Sequence, residues 1–292
     1  MIDQRSVGQT VRAHTPYAGA LVVMGTMHGK EKQVAQAFQD VLGARVVAPR
    51  GLDTDQFGTF TGDVDRRLSP IETARAKARL AMTSTGCSYG IASEATYSTQ
   101  YAVLAVHEEI LLFIDDVLDI EVVEGVNTPG APGSPQTVRS ASEAVDAART
   151  FGFPEQGAAV KTMVCGNIRV FGKGLTDSGA LAGTVEAALH ASDTGEACVE
   201  PDLRAHHNPS RREVLTRLAD RLAHRLATRC PACASPGYGK VAVSTGLPCA
   251  ACGFPTSLIA ADIHGCPACE YRRSIPRACA TAEPRWCENC NP

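Results

Sequence analysis

Between residues 230 and 290 the chain carries four Cys-x-x-Cys pairs: Cys230/Cys233, Cys249/Cys252, Cys266/Cys269 and Cys287/Cys290. Fifteen residues separate the first pair from the second, and seventeen separate the third from the fourth. Each pair forms a knuckle that presents two thiolates to one side of a metal ion. Two knuckles complete the tetrahedral cage that a structural Zn²⁺ accepts. The spacing therefore predicts two bound zincs with all eight thiols as ligands. Three pairings of the knuckles are open: sequential, cross-braced and nested. The sequential one is favoured, because each adjacent pair brackets a ribbon-length segment with strand-like residues, such as 238–243. Disulfides are the alternative use of these thiols and need an oxidising compartment. The chain shows no secretory n-region or h-region, which leads to the expectation of a reduced, cytoplasmic protein.

The 292 residues leave room for one large domain or two beside this module. Hydrophobic residues make up 44% and charged residues 20%, a soluble globular balance, and no apolar run reaches the length of a bilayer span. Membrane partners are therefore not expected. Residues 1–200 carry a net charge of −8 and residues 201–292 a net charge of +5. Eight ligating thiolates and two Zn²⁺ would bring the second figure to about +1. Nucleic acid is thus a weakly supported partner.

Apolar runs and turn signals divide the chain into a loose leader (1–17), an α/β domain (18–208), a connecting helix (209–228) and a double zinc-ribbon module (229–292). Short strands at 20–24, 45–48 and 89–93 alternate with helices at 30–42 and 69–82. Strands at 110–114 and 120–123 form an expected adjacent pair. A Pro- and Gly-rich loop or flap spans 127–135, and further strands and helices follow to residue 190. This alternation predicts an α/β fold with a mixed sheet flanked by helices, then the long helix and the zinc-ribbon module.

Three segments in the first hundred residues stand out as places for chemistry, against the plainer readings of a Gly-containing turn with solvated lysines, a helix cap and an exposed acid in a loop. Gly25-Thr-Met-His-Gly-Lys-Glu-Lys32 lies at a strand-to-helix turn, where backbone N–H groups favour anions and Lys30 or Lys32 would add charge. Ser69-Pro-Ile-Glu72 is a capping box, which by itself explains Glu72. The functional reading has Glu72 also face a cleft and help hold a divalent cation, with Lys77 near phosphate. Tyr89-Gly-Ile-Ala-Ser-Glu94 is an apolar strand ending in a carboxylate, a placement that lines the ligand crevice of open α/β sheets. As a cleft residue, Glu94 is expected to contribute little to packing.

In order and spacing, these segments resemble the inosine/xanthosine triphosphate pyrophosphatase superfamily. Members open with a strand, a Thr-x-Asn…Lys turn and a helix. They continue with a helix bearing Glu-Asn-Ala-x-x-Lys-Ala and a strand ending in acidic residues. Here Glu72-Thr-Ala-x-x-Lys77-Ala78 is similar to the second element. Tyr89 to Glu94 is similar to the third, and Asp53-Thr-Asp-Gln-Phe to the loop before the helix. In the first element His28 stands in place of the Asn, and the Lys falls one residue off on either side. The resemblance covers about 20–115. It implies metal-assisted attack of water on a nucleotide phosphoanhydride, with Glu72 and Glu94 on Mg²⁺ and Asp53 or Asp55 orienting water. Thr26, Lys30 or Lys32, and Lys77 would meet phosphate. The whole chain also resembles an uncharacterised bacterial family that pairs such a domain with C-terminal zinc knuckles.

Residues 200–211 crowd Asp202, Arg204, His206 and Arg211 into one short stretch, too polar for an ordinary turn, and read as a functional loop, with contact to phosphate or base as one use and an interdomain salt-bridge patch as the alternative. Gly166-x5-Gly-Lys-Gly174 has one residue too many for a P-loop and no hydroxyl residue after the Lys, although Lys173 can still project into a cleft. Arg217, Arg221 and Arg225 stripe one helix face, which reads as solvated. Cys87, Cys165 and Cys198 read as small core residues. Leu215, Leu218, Leu222 and Leu226 need a partner surface, either the α/β domain or a second subunit in a homodimer. A rigidly held zinc module is then expected to cover or shape the cleft near 202–211. The leading expectation is a Mg²⁺-dependent hydrolase of a nucleoside triphosphate. Its rival is a non-enzymatic adaptor with a nucleotide-binding α/β domain and a module that binds nucleic acid or protein.

Overall fold

A computed structural model describes residues 15–59, 64–98, 106–130 and 133–292. The expected leader therefore lies mostly outside the described residues, as do residues 60–63 before the second helix and part of the expected flap at 127–135.

The N-terminal sheet is built from β1 (Leu21–Met24), β2 (Arg45–Val47), β3 (Tyr89–Ser98), β4 (Val106–Asp115) and β5 (Ile120–Pro129), in the order β2-β1-β3-β4-β5. β1 runs parallel to β2 and β3; β3, β4 and β5 form an antiparallel meander. Two helices cover it. The first, α1 (Glu31–Ala37), continues into a wider turn to Leu42; α2 (Pro70–Thr85) starts at the Ser69/Glu72 capping box. The period-2 alternation of β3 and β4 explains how one sheet serves two cores. Ile91, Leu111 and Phe113 point to the α1 side with Val34 and Phe38; Ala92, Leu112 and Ile114 point to the α2 side with Ala74, Ala78 and Met82.

A second sheet has its own core. It contains β6 (Gln136–Val138), β7 (Ala158–Val164), β8 (Asn167–Leu175) and β9 (Ala197–Pro201), all antiparallel, in the order β6-β9-β7-β8. It packs on α3 (Ala141–Arg149) and α4 (Ser178–Ala191) through Val160, Leu181, Val185 and Val199. The short strands β6 and β9 are absent from the sequence reading. Three to five residues give too few periods for an alternation to stand out.

The long helix α5 (Pro209–Ala227) returns to the first sheet. Leu215, Leu218, Leu222 and Leu226 are buried against the α1 side of that sheet, so the α/β body itself supplies the partner surface. The arginine stripe is only partly solvated. Arg217 is exposed, but Arg221 and Arg225 both bond the Glu124 carboxylate on β5, at 2.6 and 2.9 Å. Cys165 is exposed, and Cys87 and Cys198 are half-buried, so these three are not core residues.

The C-terminal module is a three-stranded meander of β10 (Gly239–Thr245), β11 (Ile259–Gly265) and β12 (Arg272–Pro276). It joins the body at the C-terminal end of α5. There Tyr238 N–H donates to the Thr228 carbonyl at 3.2 Å, and Arg225 Nε donates to the Gly237 carbonyl at 3.1 Å. Among the described residues no helix is long and apolar enough to cross a membrane.

Candidate functional site

A cleft opens where the topology switches. From β1 the chain crosses one face of the sheet through α1 to β2, then returns over the other face through α2 to β3. Ligands in open α/β sheets bind beyond the carboxyl end of the strand at such a point. β1 stops at Met24, opposite Ile91, while β3 runs on to Ser98. From Ser93 onward one edge of β3 therefore has no strand beside it among the described residues, and groups from both faces of the sheet meet there. Gly25 makes the turn possible: a Cβ at this position would overlap the Lys77 carbonyl of α2.

The cleft is lined by His28, Lys30, Asp55, Gly58, Thr59, Arg66, Lys77, Glu94, Lys173, Arg204, Ala205 and Arg211, around about 430 Å³ of space that includes open solvent, of which about 40 Å³ admits the centre of a water-sized sphere. Six of these are Lys or Arg, and two are carboxylates. Glu94 is buried, with Lys77 Nζ 2.6 Å from one oxygen and Arg66 Nη2 3.1 Å from the other. Burial alone would push its carboxyl up; Lys77, Lys30 and Arg66 together hold it below the usual carboxylate range. Lys30 is only 9% exposed, and its Nζ donates to the Ser93 hydroxyl at 3.1 Å, with the Ser93 carbonyl at 3.5 Å. No carboxylate pairs with it among the described residues. Burial, together with the Arg211 guanidinium, pushes its ammonium down to about 8, while Glu109 and Glu94 act in the opposite sense.

The second sheet and α5 supply the far wall. The connection after β9 brings Asp202, whose carboxylate accepts from Arg204 Nη2 at 2.6 Å and from Gly174 N–H at 2.8 Å. Gly174 has φ of 66°, and a Cβ there would strike the His207 ring. His206 stacks on His28, with ring centroids 4.6 Å apart. Burial, with His207, His28 and Arg204 nearby, pushes His206 down to about 4, and its Nδ1 is buried without a partner among the described residues. Asn208 caps α5 and starts the turn that carries Arg211 inward.

Arg211 forms a fork with Glu109, at 2.8 and 2.9 Å, and donates to the Leu203 carbonyl at 2.6 Å. His107 Nε2 lies 3.1 Å from the same carboxylate. Burial would raise the Glu109 carboxyl, but Arg211 and His107 hold it down at about 2. Breaking such a pair leaves one buried charge uncompensated, a loss of roughly 3–5 kcal/mol. Arg211→Met and Glu109→Gln are each expected to lower unfolding stability by about that much. The double variant Arg211→Met/Glu109→Gln should cost less than the sum of its parts. Denaturant unfolding of the four proteins checks this cycle.

The sequence-predicted residues divide cleanly. His28, Lys30, Asp55, Lys77, Glu94, Lys173, Arg204 and Arg211 line the cleft, and Asp202 and His206 lie directly behind it. Lys30, and not Lys32, is the inward lysine; Lys32 is exposed. Thr26 is buried, and its hydroxyl accepts from the His28 N–H at 3.1 Å, so it shapes the turn without lining the cleft. Asp53 is exposed and accepts from the Asp55 N–H at 3.0 Å, holding the short helical turn at 55–57. Glu72 is exposed, its carboxylate 2.6 Å from the Ser69 hydroxyl. Helical geometry explains its position: five residues before Lys77, it sits well over a third of a turn around α2. Glu94 is a packed, doubly ion-paired group, contrary to the expectation that it contributes little to packing. Arg66, Ser93 and Glu109 were not legible as site residues, although His107 and Glu109, two apart in one strand, share a face.

These residues do not fit a protein-held Mg²⁺. Glu72 is away from the cleft, both oxygens of Glu94 face cations, and Asp55 pairs with His28. A Mg²⁺ site wants one or two free carboxylates with retained waters. The expectation that the zinc module covers this cleft is also overturned. The cleft meets the N-terminal end of α5 and the module its C-terminal end. Nineteen residues of helix separate them, about 28 Å at 1.5 Å per residue.

The eight knuckle cysteines form two groups: Cys230, Cys233, Cys266 and Cys269, and Cys249, Cys252, Cys287 and Cys290. This is the cross-braced pairing and corrects the sequential expectation. The meander dictates it. Antiparallel β10 and β11 bring the segment before β10 beside the segment after β11, and β12 carries the fourth knuckle back to the second. Sulfur pairs lie at 3.8 and 3.6 Å in the first group and at 3.9 and 3.6 Å in the second. A tetrahedral ion with ligands at 2.3 Å sets its sulfurs about 3.8 Å apart. The N–H groups of Ala232, Ala251 and Ala268 donate to Cys230, Cys249 and Cys266, which suits thiolates. Both groups are suited to a structural zinc.

The family described as a domain of unknown function, DUF6671, matches residues 77–292. The chain belongs to this family. The matched span holds both tetracysteine groups, Lys77, Glu94, Glu109, Lys173 and Arg211, and begins after the turn bearing His28 and Lys30. No curated protein matches the chain.

Proposed function

We propose that the switch-point cleft binds the phosphates of a nucleotide, and that the protein hydrolyses a phosphoanhydride of that ligand. The observation that carries this reading is Lys30. A buried ammonium held, among the described residues, only by Ser93, beside Lys77 and Arg211, is a costly arrangement without an anion. A phosphate oxygen would relieve it with a charge-assisted hydrogen bond. Lys77, Arg66, Lys173 and Arg204 are placed to share the remaining charge. The resemblance across 20–115 supports a nucleotide as the carrier of the phosphates. In this reading protein cations, not protein-held Mg²⁺, neutralise the phosphates; Mg²⁺ that arrives on the nucleotide needs no carboxylate site. We further propose that each tetracysteine group holds one Zn²⁺ that folds the module and takes no part in the reaction.

A panel of nucleoside triphosphates, with and without Mg²⁺, read by release of phosphate or pyrophosphate, tests the reading. Turnover of at least one member is expected; saturable binding without turnover of any would leave the adaptor reading. Glu94 supplies a second test, because it competes with phosphate for Lys77. Glu94→Gln is expected to tighten tripolyphosphate binding several-fold and to lower the melting temperature of the free protein, since Lys77 and Arg66 lose their buried partner. Unchanged affinity would count against phosphate at Lys77.

A further inference from the structure

We propose that His28 is the general base of the hydrolysis and that Asp55 positions it. The inference rests on the phosphoanhydride-hydrolase reading above and adds to it the group that activates water. Four observations converge on His28. It lines the cleft together with Lys30, Lys77 and Arg66. Its Nε2 lies 3.2 Å from Asp55 Oδ1. A carboxylate can only accept, so the neutral ring carries its proton on Nε2 and leaves the lone pair on Nδ1. That Nδ1 has no partner among the described residues. Finally, the ring is fixed from two sides: His206 stacks on it at 17° between planes, and Thr26 anchors the backbone of its turn.

This is the arrangement of a base with its orienting carboxylate. A water held at Nδ1 gives that atom a proton as its oxygen forms a bond to phosphorus. The bridging P–O bond breaks, and its electron pair leaves on the departing phosphate or nucleotide oxygen, beside the lysine and arginine cations. Asp55 stabilises the imidazolium that forms, and the proton on Nδ1 then passes to solvent. The charged and titratable groups facing His28 are Asp55, Lys30, Arg204 and His206. Burial lowers the ring, Asp55 raises it, and Lys30 and Arg204 lower it; the net position is below the ordinary 6.5. The free base is therefore the main form at neutral pH. Asp55 does not touch the reacting atoms and acts only through His28.

The test is the pH profile of kcat/KM for the best substrate of the panel, measured for the wild type, His28→Gln and Asp55→Asn. The substrate's terminal phosphate titrates in all three, so the ratio of profiles isolates His28. The wild type is expected to carry an extra acid limb with its midpoint below 6.5. His28→Gln should lose that limb and roughly 100- to 10,000-fold in kcat, with tripolyphosphate affinity within about threefold of wild type. In Asp55→Asn the limb should move to lower pH, because a group that raises the ring is gone; a merely structural Asp55 would not move it. If His28→Gln folds poorly, the Asp55→Asn shift decides. Wild type that binds tripolyphosphate but turns over no phosphoanhydride overturns the hydrolase reading itself. Active wild type with a His28→Gln that keeps its rate or its limb overturns only the assignment of His28.

Discussion

The double variant Cys233→Ser/Cys266→Ser is expected to retain one zinc per chain, against two for the wild type. In the cross-braced module both residues serve the same site, so the four ligands Cys249, Cys252, Cys287 and Cys290 remain intact. Sequential pairing would place the two losses on different ions and leave none. The variant Cys233→Ser/Cys287→Ser separates the remaining possibility: it should lose both metals here and only one in a nested module. Structural zinc supplies roughly 10–16 kcal/mol of folding free energy to small domains. Loss of the first group should therefore free the module at its junction with α5, where Tyr238 and Arg225 tie it to the body. Loss of the second should unfold only the distal end. Metal analysis of freshly purified, reduced protein reads the count, and limited proteolysis after Thr228 reads the difference in anchoring.

Lys30→Met is expected to make the free protein more stable and the ligand complex much weaker. The folded-state position of Lys30 is about 8 against an ordinary 10.5, because burial and Arg211 outweigh Glu109 and Glu94. A lysine depressed in this way destabilises the fold below pH 8, where both states hold the proton. That cost is relieved as pH rises from 8 toward 10.5, where only the unfolded chain stays protonated. At 1.36 kcal/mol per unit it amounts to about 3 kcal/mol at neutral pH. Lys30→Met should recover about 1–3 kcal/mol in urea unfolding at pH 7 and lose the rise in stability between pH 8 and 10. In exchange, a charge-assisted hydrogen bond to phosphate is worth about 1.5–3 kcal/mol, so tripolyphosphate affinity should fall roughly 10- to 100-fold. A variant that is less stable and binds equally well would mean that Lys30 is a structural group.

Several parts of this architecture were legible in the sequence because a local rule was enough. The Ser69/Glu72 capping box, the apolar run of β1, and the leucine spacing of α5 each act within a turn or two of chain. Lys30 was found because it flanks the start of α1, Glu94 because it follows an apolar run, and Lys77 through the motif it shares with Glu72; β3 runs on past Glu94 to Ser98, so that carboxylate lies within the strand and not at its end. What was not legible depends on strand pairing over long separations. Arg211 meets Glu109 across 102 residues, and no local pattern in either segment names the other. The same holds for the zinc module. The spacing of the knuckles identifies the ligands, but only the antiparallel register of β10, β11 and β12 decides which knuckles share an ion. Glu72 shows the opposite error. A motif resemblance carries a residue type, while the helix phase decides where the carboxylate points.

The central claim is that the cleft around Lys30 takes phosphate without a protein-held metal. Calorimetric titration of tripolyphosphate into the wild type at pH 8, with no added Mg²⁺ and in two buffers of different ionisation enthalpy, tests it most directly. Phosphate beside Lys30 raises its proton affinity, so binding should be saturable at one site and take up protons. Affinity should fall as pH rises further above 8. Subtracting the same titration of Lys30→Met removes the ligand's own protonation and should leave a net uptake. Absence of saturable binding, or equal proton uptake in the two proteins, would contradict the account.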